Sequence, residues 1–249
     1  MVHQPTALIR RPSPRLDEGL VTHIERIPVD YELALKQWAN YVEALRLCKW
    51  NIVEVPAADD CPDSVFIEDA VVMYKGTAII TRPGSDSRKP EVVVELGHPV
   101  TRISEPGTLD GGDVLKVDDT IYVGLGGRTN AEGIAQFAAI VEPLGAKVVT
   151  VPITKVLHLK SAVTALPSGE ILGFDAFVDD PTIFPDFIAV PEESGSHVVI
   201  VGDKRLLMAA DAPETAETLR DMGYFVIEVD ISEFIKLEGC VTCLSVRIR

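Results

Sequence analysis

Five short runs along the chain share one pattern: a few apolar, mostly β-branched residues closed by proline or a polar residue. They span 51–56, 99–104, 147–152, 186–191 and 225–230, with starts 48, 48, 39 and 39 residues apart. Runs of this length and makeup predict strands. Ahead of the first, Leu33, Trp38, Val42 and Leu45 mark one face of a helix over 30–47. A second helix is predicted over 129–144. A third starts at Asp211, with Glu214 three residues on as in a capping box. A loop and another strand follow each of the five runs. In four units a polar turn and a third strand come next, as in 113–117 with 121–125, or 197–201 with 205–209. The fifth unit stops after its second strand, 244–248, and residues 6–10 could supply the missing one. That exchange would close a ring of five α/β units around an axis. An open doubly wound sheet would give similar spacings.

Composition changes this picture little. The 249 residues are 47% hydrophobic and 24% charged, ordinary for a globular protein. A net charge of −15 offers no basic stripe to neutralise phosphates, which disfavours nucleic acid. No apolar run reaches membrane-spanning length, and residues 1–5 carry no signal core, so a cytoplasmic protein with no membrane partner is expected. In that compartment Cys48, Cys61, Cys240 and Cys243 are expected as thiols.

The repeats align unusual residues just after each parallel-type strand. The first unit offers Asp63, with Glu68 and Asp69 inside an apolar strand expected over 65–73, the second Asp110 and Asp113, the third His158, and the fifth Cys240 and Cys243. The fourth offers only Ser194, Gly195 and Ser196. Around an axis these positions would converge. Cysteine, histidine and carboxylate form a nucleophile set, in which thiolate attacks, imidazole moves protons and a carboxylate orients the imidazole. A thiol at neutral pH needs a cation nearby to ionise. So many acids suit a guanidinium, which is planar and takes paired hydrogen bonds from carboxylates.

Phe66-Ile67-Glu68-Asp69, Thr108-Leu109-Asp110-Gly111-Gly112-Asp113, Gly127-Arg128-Thr129-Asn130, Leu157-His158-Leu159-Lys160 and Thr242-Cys243 together resemble the dimethylarginine dimethylaminohydrolase family, in order and spacing, along almost the whole chain. The family belongs to the guanidino-group-modifying (pentein) enzymes. The resemblance implies a five-bladed ββαβ propeller, with 1–249 as a single catalytic domain. It implies hydrolysis of Nω-methylated arginine to citrulline and the methylamine, with no cofactor and no metal. Cys243 would attack the guanidinium carbon and form a thiouronium. His158 would protonate the departing amine, then activate water. Asp110 would orient His158 and grip a guanidinium nitrogen, with Asp69 holding the guanidinium from another side and Glu68 supporting that shell. Arg88 and Arg128 match arginines that bind the substrate carboxylate. Asp63 and the carbonyls of Leu20 and Leu237 would receive its amino group, with Glu238 beside them. Leu20 lies on a loop that works as a lid in the family.

Other readings stay open. Arginine deiminases usually carry His-x-Asp and an added helical domain, whereas the residue two beyond His158 is Lys160. Another amidine hydrolase, or a catalytically silent propeller used for binding, also fits the fold. Cys240 and Cys243 form Cys-x-x-Cys, which elsewhere signals redox chemistry or half a zinc site, but no second close pair exists. Cys240 departs from the family pattern. It could be apolar filler or could link to Cys243 under oxidation. A homodimer through exposed strand or helix surface is open.

Overall fold

The structure, a computed structural model, describes residues 4–91 and 98–249. Residues 1–3, part of the segment read as lacking a signal core, lie outside it. The chain opens with β1 (Thr6–Ile9), α1 (Tyr31–Leu47) and β2 (Asn51–Glu54). Then come β3 (Val71–Tyr74), β4 (Thr77–Ile80) and β5 (Val100–Arg102). Next are β6 (Val114–Val117), β7 (Thr120–Leu125), α2 (Ala131–Val141) and β8 (Lys147–Pro152). After these lie β9 (Val163–Ala165), β10 (Ile171–Gly173) and β11 (Phe187–Ala189). Last are β12 (Val198–Gly202), β13 (Arg205–Ala209), α3 (Pro213–Asp221), β14 (Phe225–Val229), α4 (Ser232–Ile235) and β15 (Val246–Ile248).

These strands form five separate three-stranded sheets. Each joins an antiparallel pair to a parallel third strand, as β3 with β4 and β4 with β5. The fifth sheet is β15-β1-β2. Thr6 pairs with Ile248 antiparallel and with Asn51 parallel, so the two ends of the chain share one blade. The ring closes as the repeat pattern predicts, and the doubly wound alternative is overturned. Apolar side chains fill the spaces between blades. The largest cluster seats α1, through Tyr41 and Leu45, against Leu207 and Leu244. Each such side chain contributes about 1.5–3 kcal/mol on burial. Two polar tips within this cluster are paired: the Tyr41 hydroxyl meets Ser245 Oγ at 2.7 Å, and Trp50 Nε1 donates to Val201 O at 3.1 Å.

Two local expectations need correction. The predicted capping box at Asp211 does not form. α3 is capped without its own side chain at Ala212, and Pro213 opens its first turn, where no backbone donor is needed. Glu192 instead accepts from the amides of Glu214 and Thr215, while Asp211 accepts from Ser194 Oγ. Glu68 and Asp69, expected inside a strand, sit on a 3₁₀ turn, Ile67–Ala70, ahead of β3.

That turn has counterparts in every blade. Gly111–Asp113, Leu159–Ser161 and Glu193–Ser196 are 3₁₀ turns before β6, β9 and β12. Residues 240–243 make the fifth, closed by Cys243 N donating to Cys240 O at 3.1 Å. Hydrogen bonds join neighbouring turns around the ring. Glu68 N donates to Cys243 O (3.2 Å), Gly112 N to Asp69 Oδ1 (2.7 Å) and Leu159 N to Asp113 Oδ1 (2.9 Å). Each inner strand runs away from its turn, so the turns gather at one end of the axis. Among the described residues no helix is long and apolar enough to cross a membrane.

Candidate active site

One cleft at that end is lined by Leu20, Asp63, Asp69, Arg88, Arg128 and His158, together with Leu237, Glu238 and Cys243. Nine of the eleven expected site residues therefore share one small cavity. Asp110 lies behind it, fully buried, and holds His158 from the rear. Glu68 lies outside it.

His158 and Asp110 occupy the same place in consecutive blades, each just before its 3₁₀ turn. His158 Nε2 meets Asp110 Oδ2 at 2.9 Å, and its Nδ1 is 3.9 Å from Asp69 Oδ1. Asp110 Oδ1 accepts from Gly84 N at 2.9 Å, which fixes the carboxylate. Burial alone would lower the His158 pKa. The charge of Asp69, the hydrogen bond to Asp110 and the charge of Asp113 outweigh it and raise the pKa to about 9. Burial likewise opposes ionisation of Asp69, but His158, Arg88 and Gly112 N bring its pKa down to about 2. The resting pair at neutral pH is thus imidazolium and carboxylate, an arrangement suited to giving a proton to a leaving group.

Asp113 anchors this pair. Its carboxylate accepts from Thr129 Oγ1 and from Leu159 N, beside His158. Burial pushes its pKa up to about 6, even with His158 and Thr129 pulling down.

Gly112 permits the close approach. A methyl group there would lie 2.6 Å from Asp69 Oδ1 and 2.7 Å from His158 Cγ and Nδ1. The expected result of Gly112→Ala is a fall in kcat/KM of about 10²-fold, the effect of a displacement near 1 Å in the reacting groups. Steady-state kinetics beside a melting curve separates this from unfolding. Retention of wild-type kcat/KM would show that the ring can move freely.

Cys243 Sγ lies 3.3 Å from Cys240 Sγ and accepts weakly from Cys240 N at 3.5 Å. Of the two, only Cys243 lines the cleft. Their mutual hydrogen bond makes the first ionisation of the pair easier and the second harder. Glu68 and Asp69 add to the resistance at Cys243. A cation in the cleft would relieve that resistance.

The two arginines differ. Arg88 is enclosed, and its donors are taken by Asp69, Glu91 and the carbonyls of Asp63 and Phe66. Burial opposes its charge, but Glu91 and Asp69 raise its pKa far above the usual value. It thereby fixes Asp69 and the 63–66 turn. Glu91, three residues on, was the sequence signal for this, because (i, i+3) positions pair on a helical turn. Arg128, by contrast, is 4.0 Å from Asp110 and makes no hydrogen bond among the described residues.

Asp63 accepts from Leu20 N at 3.0 Å, so the N-terminal loop meets the carboxylate expected to receive an amino group. Burial raises the Asp63 pKa against the pull of Arg88 and Leu20 N. Glu238 grips the same loop through the amides of Thr22 and His23. Glu68 is corrected from a cleft residue to a wall residue. Adjacent positions on a 3₁₀ turn point in different directions, and its Oε1 meets Lys160 Nζ and Arg247 Nη2, each at 2.6 Å, on the far side.

Asp69, Asp110 and His158 present ligand atoms within 4.8 Å of one another. Those atoms are already turned to Gly112, Arg88 and one another, so the trio forms an orienting set for the imidazole.

A family model described as N,N dimethylarginine dimethylhydrolase, eukaryotic, matches residues 25–165. An N(G),N(G)-dimethylarginine dimethylaminohydrolase of Streptomyces coelicolor is 63% identical over 249 residues, 98% of this chain and 96% of its own length. That of Pseudomonas aeruginosa is 41% identical over 250 residues, covering 96% and 98%. A cysteine-to-serine mutant of the Pseudomonas aeruginosa enzyme, complexed with citrulline, superimposes with a TM-score of 0.92 at 38% identity, covering 98% of this chain and 99% of that one. The N-terminal domain of ArgZ, a cyanobacterial arginine dihydrolase, superimposes at 0.84 with 19% identity, a likeness of fold alone.

A five-bladed ring with cysteine, histidine and carboxylates at one end of its axis is the architecture of the pentein, or guanidino-group-modifying, class. Within that class, the chain belongs to the dimethylarginine dimethylaminohydrolase family.

Proposed function

We propose that this chain hydrolyses Nω-methylated arginine, asymmetric dimethylarginine or monomethylarginine, to citrulline and the methylamine. The observation that carries the reading is one cleft holding Cys243 and His158, with His158 fixed at 2.9 Å by Asp110. The substrate guanidinium lies along Asp69, and its positive charge stabilises the Cys243 thiolate, so that the thiol proton is released to solvent. Sγ bonds to the guanidinium carbon, and the methylated nitrogen leaves with a proton from His158. The thiouronium then takes water, deprotonated by His158, and the carbon–sulfur bond breaks to give citrulline and the free thiol. Arg128, with its guanidinium uncommitted, takes the substrate carboxylate. Asp63 and the carbonyls of Leu20 and Leu237 take the amino group once the lid has moved.

Lys160 favours methylated substrate over free arginine. It occupies the place of the deiminase carboxylate and turns away to Glu68, so no acid demands hydrogen bonds from the nitrogen bearing methyl groups. The whole chain, 1–249, acts as one catalytic domain in the cytoplasm, on a small-molecule substrate, without nucleic acid or membrane, and a homodimer is compatible with its surface. The test is citrulline formation across dimethyl-, monomethyl- and unmethylated arginine and small amidines. Turnover of the methylated arginines above the rest is expected; equal or better turnover of arginine would favour the deiminase reading.

A further inference from the structure

Beyond the five turns the ring encloses a second cavity of about 350 Å³, lined by one inner strand from every blade. Lys116, Lys160, Arg247 and Arg249 all face it, with Glu68 as the buried carboxylate among them. This is a concentration of positive charge in a protein of net charge −15. Glu68 is shared by Lys160 and Arg247 through Oε1 alone, and its Oε2 has no partner. Lys116 donates to Met73 O at 2.8 Å and Arg249 to Ile200 O at 2.6 Å; neither forms an ion pair among the described residues. None of these cations touches the catalytic cleft.

We propose that this axial cavity is a binding site for a small oxyanion, seated between Lys116, Arg247 and Arg249. Arg247 already holds Glu68 and the 242–245 turn, but Lys116 and Arg249 lack a counter-charge, which an oxyanion would supply through charge-assisted hydrogen bonds. The same turns line both the cavity and the cleft. Glu68, Lys160 and Thr242 face the cavity, and Asp69, His158 and Cys243 face the cleft.

The test is calorimetric titration of the full chain with inorganic phosphate, and separately with citrate, at constant ionic strength. The two arms distinguish a tetrahedral oxyanion from a polycarboxylate. Saturable binding of at least one is expected, with affinity about tenfold or more weaker in Lys116→Met, the loss expected for one charged hydrogen bond. Arg249→Met should act in the same direction if Lys116→Met folds poorly. Binding should persist in Arg128→Met, which alters only the cleft. Absence of saturable binding overturns the site, as does undiminished binding in both cavity variants.

A separate observation concerns the sulfur contact of 3.3 Å between Cys240 and Cys243, at the two ends of one closed turn. We infer that a hydroperoxide converts this pair to a disulfide and silences the enzyme; this rests on Cys243 being the nucleophile. One thiolate attacks a peroxide oxygen, giving a sulfenic acid and releasing hydroxide, which is protonated to water. The second thiol displaces the sulfenic hydroxyl as a further water, so two sulfurs lose two electrons and the peroxide gains them. Hydrogen peroxide should inactivate the protein with a mass loss of two hydrogens, and dithiothreitol should restore it. Cys240→Ala should instead gain oxygen on Cys243 and fail to recover fully. Oxygen gain without a disulfide in wild type, or no inactivation, refutes the inference. Loss of all turnover before treatment, with the disulfide still formed, would instead count against the proposed reaction.

Discussion

Cys243→Ser is expected to lower citrulline release by about 10⁴-fold or more, in the range seen when a nucleophile is removed from a set that acts as one unit. The protein should stay folded and still bind methylarginine. The reason lies in the proton inventory. His158 is raised to about 9 and rests as the imidazolium, so it cannot act as a base toward the attacking atom. The nucleophile must ionise by field alone, from the bound guanidinium, against the resistance set by the Cys240 thiol and by burial. A thiol, whose ordinary pKa of about 8.5 lies far below that of an alcohol, can do so once a cation sits beside it, and an alcohol cannot. Denatured samples quenched during turnover should carry a thiouronium adduct on wild type and none on the variant. A serine enzyme within tenfold of wild type would mean that another group attacks.

The ring was legible because its strands are short, β-branched and closed by proline. The bounds 147–152 match β8 (Lys147–Pro152), and 51–56 and 225–230 overshoot β2 and β14 only at their ends. Closure was legible because one strand was missing at one end of the chain and spare at the other. The turns were not. Residues 65–73 are nearly all apolar, and a buried 3₁₀ turn at the centre of a ring is as apolar as a strand. Periodicity therefore could not separate Glu68 from Asp69, although one faces the axial cavity and the other the cleft.

Partners across space were hidden as well. Nothing local to Asp211 says that Glu192 will supply the cap of α3. Nothing near Thr22 says that Glu238, far along the chain, will hold its amide. The convergence of Cys243, His158 and Asp69 could be anticipated because repeats place equivalent positions together. The engagement of Arg88 could have been suspected from Glu91, but its enclosure depends on the 63–66 backbone folding over it.

Asp110→Asn tests the imidazole rather than the sulfur. Asp110 accepts from His158 Nε2 and from Gly84 N, with no exposed surface. An amide can keep the Gly84 bond with its oxygen, but then turns an N–H toward the ring, opposing a charged imidazolium. The loss of kcat/KM should be about 10²–10⁴-fold. The pH profile carries the sharper sign. His158 must be protonated to release the amine, so activity falls as pH rises through its pKa, near 9 in the wild type. Removing one of the anions that raise that pKa moves the alkaline limb of kcat/KM down, toward the ordinary 6.5. Asp69→Asn should move it in the same direction, because Asp69 is the leading charge raising the pKa. Stability follows the same linkage. The contribution from a charged His158 is complete below about 6.5 and fades as pH rises through about 9, so both variants should lose most of their stability relative to wild type on the acid side of that window. Rate profiles between pH 6 and 10.5 would check this, and an unmoved alkaline limb in both variants would assign that limb to a group other than His158.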